Sequence, residues 1–528
     1  MSNHAYESAA ALRPSSNGPI PISTLCERFS LVPASADDST ALNDLSVLGV
    51  SVDSGDTSPG ELFVGLPGFT AHGARFAAEA VASGAVAVLT DSDGAQIVHE
   101  LAPGTPALVH DDPRAVVGPL SAEVYHHPAR GLITTAVTGT NGKTTTSYFL
   151  DAILSAHVGG CMVAGTVELR VGERSVESPR TTVEAPVLQR MMALAVEDRV
   201  GAASLEASSH AIVLHRLDGV VFDVAGFTNL QRDHLDFHKT MQGYLDAKAR
   251  LFTPEHARRG VVCVDDRWGA ALADEAPIEI DRVRAYPGDT PADWWVSDAA
   301  VSLTDSATTF TLHGPDAERI EASCPLPGLV NVQNAALALV MAIRAGVPAA
   351  TATAALAGAH NIPGRMQRIS QRDGQRGLCI VDFAHTPDAM ELALKAVRQI
   401  TPGRLIVVFG SDGDRDQGKR PMLGEVCARL ADVLVVTDEN PRSEDPQLIR
   451  NAILEGVRSV RPDLQDVEEI TTWRGDAVRR GVELCGPQDT VIVTGKGHEP
   501  FLEAAGEFIR YNDAPVMAEA VEQKWGRG

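Results

Sequence analysis

A β-branched strand that runs through a glycine-rich turn into a helix is the feature that most constrains the fold of this chain. The strand is predicted over 132–137, the turn reads GTNGKTT over 139–145, and the helix is predicted over 144–156. Glycines let backbone N–H groups surround phosphate oxygens, Lys143 can reach terminal phosphates, and Thr144 can hold Mg²⁺ at the helix N-terminus. Val137 stands where the longer phosphate-loop pattern has glycine, so this is a shortened phosphate loop. The predicted nucleotide-binding residues of the turn are Gly139, Thr140, Asn141, Gly142, Lys143, Thr144 and Thr145.

Strand and helix patterns alternate along most of the 528 residues, which predicts an α/β protein with largely parallel sheets. The length favours three or four domains. We predict an N-terminal α/β domain over 1–130, a central phosphate-loop domain with a mostly parallel sheet over 131–361, and a Rossmann-like C-terminal domain over 362–528. Residues 1–20 are rich in Ser, Asn and Pro, which predicts a mobile tail. The alternation over 301–312 predicts an antiparallel hairpin inserted in the central domain.

The charge of the chain limits its partners. With 45 Lys and Arg against 69 Asp and Glu, the formal net charge is −24, which argues against binding to nucleic acid or anionic membranes. Small anionic substrates stay possible where positive charge is gathered locally. Seven dispersed cysteines indicate reduced thiols, and no signal peptide or membrane-spanning run is apparent. These observations predict a cytoplasmic protein without membrane insertion.

Two further strand ends carry polar residues that suit phosphate chemistry. Glu206 follows an apolar strand at 202–205, where a phosphate-loop ATPase usually has its second metal anchor, although a helix-capping acid is the alternative. The turn at 229–238 is dense in His and Asp, and His234 within it is either a metal or phosphoryl residue or a structural histidine. On spacing alone, Lys248 is an ordinary helical lysine.

Four motifs in this order and spacing resemble the Mur ligases, which are ATP-dependent amide-forming enzymes of peptidoglycan precursor synthesis. They read GTNGKTT (139–145), EASSHA (206–211), TNLQRDHLDFH (228–238) and YLDAKARLF (244–252). The resemblance extends from VDSGDTSPGELF (52–63) to GKGHE (495–499). The C-terminal motifs DFAHTPDAM, GSDGDRDQGKRPM, DENPR and GKGHE resemble the tripeptide-synthetase branch. The resemblance implies that the three domains bind a UDP-sugar peptide, ATP and an amino acid, respectively.

The resemblance also implies roles for individual residues. Lys248 matches a lysine carbamoylated by CO₂, so that its carboxylate-like group serves one of two Mg²⁺ ions. The implied catalytic residues are Lys143, Lys248, His234 and Arg365. The implied metal ligands are Thr144, Glu206, His234 and carbamoylated Lys248. ATP contacts beyond the loop are Asn331, Asn334, Arg365, Asp382 and His385, and UDP-substrate contacts are Ser54, Thr181, Thr182, Ser208 and Arg216.

The implied amino-acid pocket indicates the substrate. Its residues are Arg415, Asn440, Pro441, Arg442, Gly495 and Glu499. An arginine fork such as that of Arg442 pairs with the carboxylate that distinguishes diaminopimelate from lysine. The resemblance therefore implies a monomeric acid–amino-acid ligase. It would add meso-diaminopimelate to UDP-N-acetylmuramoyl-L-alanyl-D-glutamate through an acyl phosphate.

Other interpretations stay open at the level of sequence. Glu439 stands where the family motif has Asp, and Gly55 stands where an arginine is usual. A lysine-adding ligase or another ligase of the superfamily, such as one adding glutamates to folate, is the nearest alternative. An ATP-binding scaffold without activity belongs to a different class, and the presence of Lys143, Glu206, His234 and Lys248 argues against it.

Overall fold

The computed structural model describes residues 9–68, 70–302, 307–359 and 362–526. The chain divides into two compact units. The first comprises Met1–Arg284, Gly288–Trp294 and Leu337–Ala355, and the second comprises Ala285–Pro287, Trp295–Ala336 and Leu356–Gly528.

The first unit begins with a small α/β layer. Its strands are β1 (Ile20–Pro21), β2 (Val32–Pro33), β3 (Ser46–Val47), β4 (Gly49–Ser51), β5 (Glu61–Val64), β6 (Ala87–Thr90) and β7 (Ala107–Val109). Its helices are α1 (Ile22–Phe29), α2 (Ala36–Leu42), α3 (Ala77–Ala82), α4 (Ser92–Leu101) and α5 (Pro113–Val124). Five strands form a sheet in the order β2-β7-β6-β5-β4, in which all pairs but β2–β7 are parallel.

The phosphate loop lies in the second sheet of the same unit. Its strands are β8 (Ile133–Thr138), β9 (Cys161–Ala164), β10 (Glu168–Val171), β11 (Arg174–Glu177), β12 (Ala202–Glu206), β13 (Val224–Phe227), β14 (Arg259–Cys263) and β15 (Glu279–Arg284). Its helices are α6 (Lys143–Val158), α7 (Ala185–Glu197), α8 (Ser209–Val213), α9 (Leu235–His238), α10 (Met241–Ala249) and α11 (Arg267–Glu275). The strand order is β11-β10-β9-β12-β8-β13-β14-β15, and the six strands from β9 to β15 in this order are parallel, as predicted. The loops after β8, β12 and β13 therefore meet at one edge of the sheet.

The first described residues are not a mobile tail, which corrects that prediction for residues 9–15. Leu12 is fully buried, and Arg13 forms ion pairs with Asp56 and Glu61. Arg190 on α7 donates hydrogen bonds to Asp56 (2.9 Å) and to the carbonyl of Ala9 (2.7 Å). A buried apolar anchor followed by a paired arginine fixes this segment despite its polar composition. Residues 1–8 lie outside the described residues.

The second unit contains three antiparallel strands and a further sheet. The antiparallel strands are β16 (Trp294–Val301), β17 (Thr308–His313) and β18 (Arg319–Cys324), and they precede α12 (Leu329–Arg344) and α13 (Ala349–Ala357). The predicted antiparallel pairing over 301–312 is confirmed, but the first strand of the hairpin lies before residue 301 rather than after it. Both α12 and α13 cross from one unit into the other along the chain.

The C-terminal sheet explains the Rossmann-like pattern of the sequence. Its strands are β19 (Gln367–Ser370), β20 (Leu378–Val381), β21 (Leu405–Phe409), β22 (Val433–Val436), β23 (Val467–Glu469) and β24 (Thr490–Val493), and a separate hairpin comprises β25 (Phe501–Ala504) and β26 (Glu507–Arg510). The helices are α14 (Pro387–Gln399), α15 (Lys419–Leu430), α16 (Pro446–Val460), α17 (Arg474–Leu484) and α18 (Asp513–Trp525). The sheet order is β19-β20-β24-β21-β22-β23, parallel apart from β19–β20. Its central strands are buried on both faces, which explains their unbroken apolar runs.

Candidate active site

The phosphate loop occupies the turn between β8 and α6. Gly139 has φ of +145° and Gly142 has φ of +90°, values that residues with a side chain rarely adopt. A Cβ at position 139 would lie 1.8 Å from Oγ1 of Thr228, so only glycine fits there. Lys143 is the first residue of α6, and its Nζ donates to the carbonyls of Gly139 and Thr140, both at 2.9 Å. The loop thus holds its cation at the N-terminus of the helix, where the helix dipole also favours an anion.

A second turn, directly after β13, holds the phosphate loop in place. Thr228 Oγ1 donates to the carbonyl of Asn141 at 2.6 Å, and the side-chain oxygen of Asn229 accepts from the backbone N–H of Asn141 at 3.1 Å. The amide of the Asn141 side chain donates to Gln231 at 2.7 Å. These three positioning residues were not predicted as site residues, although the TNLQ motif that contains them was part of the resemblance.

Glu206 is buried at the end of β12. Its carboxylate accepts hydrogen bonds from Thr144 on α6 and from Thr166, which follows β9. Thr144 Oγ1 donates to Oε2 of Glu206 at 3.0 Å, and the backbone N–H and hydroxyl of Thr166 donate to the same carboxylate, each at 2.8 Å. The structure therefore brings Thr144 and Glu206 together, as predicted for a shared metal site. Thr166, which follows β9, carried no signal in the sequence.

Lys248 is buried under the phosphate loop. Its Nζ donates to the carbonyl of Gly139 at 2.9 Å, so the amines of Lys143 and Lys248 share one acceptor. The Nζ also lies 4.5 Å from the ring centroid of Tyr244. Burial, and next the nearby charge of Lys143, holds the pKa of the Lys248 ammonium well below its ordinary value. A lowered pKa favours the neutral amine, the form that reacts with electrophiles such as CO₂.

His234 lies in a group of aromatic rings after the second turn. It has φ of +52°, its Nε2 is 3.4 Å from Asp233, and its ring centroid is 5.0 Å from that of His210. Partial burial lowers the pKa of His234, which favours the neutral imidazole. Within the described ranges no three His, Cys, Asp or Glu side chains are grouped so that they could hold a metal ion. Two of the four predicted metal ligands, Thr144 and Lys248, are not His, Cys, Asp or Glu, so this finding does not concern them.

The residues predicted to contact the UDP substrate fall into two places. Thr182 contacts two of the others: its hydroxyl lies 3.3 Å from that of Ser208, and its carbonyl accepts from Arg216 at 3.2 Å. The hydroxyl of Thr181 lies 3.2 Å from that of Thr166, which places it beside the Glu206 carboxylate. Ser54 lies in the first sheet layer, where its hydroxyl donates to Glu79 at 2.9 Å.

Asn440 is the centre of the predicted amino-acid pocket in the second unit. Its amide nitrogen donates to Asp412 at 3.0 Å and to Glu499 at 3.1 Å, while its oxygen accepts from Nζ of Lys496 at 2.8 Å. Lys496 is fully buried and also donates to Glu499 at 2.9 Å. The GKGHE segment thus supplies both the acid that was predicted and a lysine that holds it.

Arg442 extends the same pocket. Its backbone is left-handed, with φ of +55°, and its N–H donates to the carbonyl of Glu503 at 3.0 Å. The guanidinium lies 3.8 Å from Asp412 and 3.6 Å from the Glu503 carboxylate, beyond hydrogen-bonding distance. Its Nε is buried and has no hydrogen-bond partner. Beside these two long ion pairs, the guanidinium can still donate hydrogen bonds to the carboxylate of a ligand.

The remaining residues of the predicted pocket differ in their placement. Gly495 has φ of +108° and lies against the side chain of Glu439, and the carbonyl of Pro441 packs on Gly413. Arg415 is exposed in the loop between β21 and α15, where the described residues offer it no hydrogen bond or ion pair. The structure therefore gathers Asn440, Arg442 and Glu499 but does not bring Arg415 into contact with them.

The other predicted ATP contacts also lie in the second unit. Asp382 is buried, and its carboxylate accepts from the N–H groups of Met366 (2.7 Å) and Ala384 (2.9 Å). Burial raises the pKa of Asp382 despite those donors. The guanidinium of Arg365 lies 4.3 Å from the ring centroid of Phe383, and His385 Nδ1 is 3.0 Å from the Phe383 carbonyl.

Two asparagines on α12 complete this group of predicted ATP contacts. Asn331 donates to the carbonyl of Pro327 at 2.8 Å, and the side-chain oxygen of Asn334 is buried without a hydrogen-bond partner. An unpartnered buried amide is a suitable contact for a polar ligand.

The fold and the phosphate-loop site define this chain as a phosphate-loop α/β protein. Its second unit is also α/β and contains a pocket of cationic and acidic side chains. Three family profiles match this chain: "Mur ligase family, catalytic domain" over 46–125, "Mur ligase middle domain" over 137–342 and "Mur ligase, glutamate ligase domain" over 364–497. The chain belongs to the Mur ligase family.

Relatives and a solved structure cover nearly all of the chain. A Streptomyces avermitilis protein named UDP-N-acetylmuramoyl-L-alanyl-D-glutamate–2,6-diaminopimelate ligase is 43% identical over 92% of this chain and 95% of its own length. A Leifsonia xyli protein named UDP-N-acetylmuramyl-tripeptide synthetase is 42% identical over 95% and 96%. The solved structure of a UDP-N-acetylmuramoyl-L-alanyl-D-glutamate–2,6-diaminopimelate ligase aligns with a TM-score of 0.65 and 31% identity over 92% and 96%. No helix among the described residues is long and apolar enough to cross a bilayer.

Proposed function

We propose that this chain is an ATP-dependent ligase that joins meso-diaminopimelate to UDP-N-acetylmuramoyl-L-alanyl-D-glutamate. The observation that carries the proposal is Arg442, whose buried Nε has no hydrogen-bond partner and whose guanidinium lies 3.8 and 3.6 Å from the carboxylates of Asp412 and Glu503. Diaminopimelate offers a carboxylate that lysine lacks, and a guanidinium fork suits such a group. The names of the Streptomyces and Leifsonia relatives support the same reaction.

The proposed reaction has two steps. The γ-phosphoryl group of ATP is transferred to the γ-carboxylate of the D-glutamyl residue, which gives an acyl phosphate and ADP. A deprotonated amine of diaminopimelate then attacks the acyl carbon, and the amide forms as phosphate leaves. Lys143 neutralises charge on the transferred group from the helix N-terminus, and we assign Arg365 the same task. Catalysis rests mainly on alignment of the reactants and on charge neutralisation.

The residues present fit the Mg²⁺ ions and the lysine carbamate that the family resemblance implies. Thr144 and Glu206 offer oxygen atoms at one point beside the phosphate loop, which is the ligand chemistry that Mg²⁺ prefers. The lowered pKa of Lys248 favours the neutral amine that carbamate formation requires. His234 would hold the second ion together with that carbamate. Bound Mg²⁺ would offset the charge of the ATP phosphates.

An amine-substrate panel tests the proposed function. Phosphate release is measured with ATP, Mg²⁺, the UDP-dipeptide and one amine at a time: meso-diaminopimelate, L-lysine or L-glutamate. We expect release only with all four components present and fastest with meso-diaminopimelate. Equal or faster turnover with L-lysine would assign the chain to the lysine-adding ligases, and no turnover with any amine would favour a non-catalytic scaffold. The monomeric state and cytoplasmic location stay predictions.

A further inference from the structure

The turn between β9 and β10 holds the carboxylate of Glu206 through both of its oxygens. The backbone N–H of Thr166 donates to Oε1 and the Thr166 hydroxyl donates to Oε2, each at 2.8 Å. Glu206 is 1% exposed, and Thr144 adds a third donor at 3.0 Å from Oε2. One residue of this turn therefore fixes the orientation of a buried carboxylate that was predicted as a metal ligand.

Gly165 makes this close approach possible. A Cβ at position 165 would lie 2.3 Å from Oε1 of Glu206 and 3.0 Å from its Cδ, so a side chain there would displace the carboxylate. The carboxylate thus rests on the backbone of the turn. Gly165 and Thr166 together form a cradle for this one side chain, and neither residue belongs to the sites predicted from the sequence.

A second carboxylate at the same sheet shows what the Glu206 arrangement lacks. Asp223 accepts from the N–H of Thr134 at 2.8 Å and from its hydroxyl at 3.1 Å, and it also pairs with Arg258 at 2.8 Å. The side-chain contacts of Glu206 within the described part of the chain are with neutral donors only. A buried carboxylate without a cationic partner is costly, which supports a site that a cation completes.

The Thr166 hydroxyl also reaches the segment predicted to contact the UDP substrate. Its oxygen lies 3.2 Å from the Thr181 hydroxyl as well as 2.8 Å from Glu206. A hydroxyl has one hydrogen to donate, so it serves only one of these two acceptors at a time. An ionised carboxylate is the stronger acceptor of the two, because charge-assisted hydrogen bonds are stronger than neutral ones.

We propose that Thr166 is a positioning residue that couples cation binding at Glu206 to binding of the UDP-dipeptide at Thr181. A cation at Glu206 weakens the carboxylate as a hydrogen-bond acceptor, so the Thr166 hydrogen becomes available to Thr181. The Thr181 hydroxyl then accepts from Thr166 and keeps its own hydrogen for the substrate. Coupling is reciprocal, so bound UDP-dipeptide strengthens cation binding by the same factor. The inference rests on the proposed function, which makes Glu206 a metal ligand and Thr181 a substrate contact.

Binding measurements on the full-length protein test the coupling without turnover. The Kd of UDP-N-acetylmuramoyl-L-alanyl-D-glutamate is measured with a saturating non-transferable ATP analogue, once with Mg²⁺ and once with a chelator. We expect Mg²⁺ to lower this Kd about tenfold in the wild-type protein, a typical strength of coupling. T166V keeps the N–H donor but lacks the hydroxyl, so its two Kd values should be nearly equal. T166S keeps the hydroxyl and should retain the wild-type ratio of the two values.

Mn²⁺ affinity gives a second readout that does not depend on the UDP-dipeptide. Mn²⁺ in place of Mg²⁺ is followed by electron paramagnetic resonance in the presence of the ATP analogue. T166V should bind it about tenfold more weakly, the lower end of what loss of a residue that orients a metal ligand costs. T134V is the matched control, because it removes the same group from the Asp223 arrangement. Both the Kd ratio and the Mn²⁺ affinity should be unchanged in T134V.

The outcomes separate the coupling from the proposed function. If T166V does not fold, T181V, at the other end of the contact, should lose the Kd ratio instead. Equal Kd values in the wild-type protein, a wild-type ratio in folded T166V or T181V, or unchanged Mn²⁺ affinity in T166V would overturn the inference and leave the proposed reaction intact. Loss of the ratio in T134V as well would also overturn it. Failure of the wild-type protein to bind the UDP-dipeptide with Mg²⁺ present would instead overturn the proposed function.

Discussion

Lys143 and Lys248 in the phosphate-loop site both donate hydrogen bonds to the backbone, whereas Arg442 and Glu439 in the amino-acid pocket keep buried polar atoms without partners. In the first site the Glu206 carboxylate is likewise hydrogen-bonded by the chain, since Thr144 and Thr166 both donate to it. The second site is incomplete without a ligand. A buried polar group that only the correct ligand satisfies rejects analogues lacking the matching group. We infer that the first site provides fixed geometry for a common nucleotide and that the second provides selectivity for the amino acid.

The largest effect is expected from K248A in the phosphate-loop site. Loss of the amine removes the group that would carry the carbamate, so activity should fall by about 100- to 1,000-fold, the scale of removing a group that stabilises transition-state charge. Acetate or another short carboxylic acid should restore part of the phosphate release. K395A, which alters an exposed lysine of α14, is the control. Full activity of K248A without rescue would show that no carbamate is needed.

Glycine geometry in the phosphate loop gives the second largest expected effect. In G139A the new Cβ would meet Thr228 at 1.8 Å, so the loop must move and nucleotide affinity should fall about 100-fold, as expected for a displacement of about 1 Å. Gly159, at the other end of α6, has φ of +82°, and a Cβ added there would have no atom within 4 Å. G159A should therefore cost only roughly 1 kcal/mol of stability, with nucleotide binding retained. Similar nucleotide affinities for both variants would contradict a rigid loop.

Arg442 tests the incomplete site. R442A should raise the KM for meso-diaminopimelate roughly 10- to 100-fold, because a hydrogen bond to a charged group contributes about 1.5–3 kcal/mol. R442K should lie between wild type and R442A, since an ammonium cannot form the bidentate pair. The KM for ATP, measured in the same assays, reports whether the effect is confined to the pocket. A parallel loss with L-lysine as substrate would argue against carboxylate recognition by Arg442.

The smallest effect concerns stability and pH. The ordinary pKa of a glutamate is 4.5, and burial raises that of Glu439 to about 8. Between these values the folded state holds a proton that the unfolded state has lost, so the contribution of Glu439 to stability decreases as pH rises. The melting temperature of E439Q minus that of wild type should therefore increase from pH 5 to pH 8. A constant difference across this range would mean that Glu439 is ionised in the free pocket.

Local patterns predicted much of the fold and part of the site. The strand predicted over 132–137 corresponds to β8 (Ile133–Thr138) and the helix predicted over 144–156 to α6 (Lys143–Val158), with the phosphate loop between them as expected. The β25–β26 hairpin was missed because all four residues of β26 are exposed and give no apolar alternation.

Features that depend on tertiary contacts could not be read from spacing. Lys248 resembles any helical lysine until its burial under Gly139 is known, and Lys496 acquires its role only through Asn440 and Glu499. For the same reason Arg415, predicted from its motif, lies exposed and apart from the other pocket residues. For the same reason, residues 295–336 were predicted within the central domain, whereas the structure groups them with the C-terminal residues in the second unit.

The anchored segment at residues 9–15 links the first two sheets of the first unit, so its proteolytic removal affects both. Arg190 is 1% exposed and belongs to the central sheet layer, while Asp56 belongs to the N-terminal layer. The carbonyl of Ala9 and the guanidinium of Arg13 close the cluster from outside. Proteolytic removal of residues 9–13 would take the Ala9 acceptor away from the buried guanidinium of Arg190, which is a costly state. Protein that lacks residues 9–13 should therefore have a weakened contact between its first two sheets.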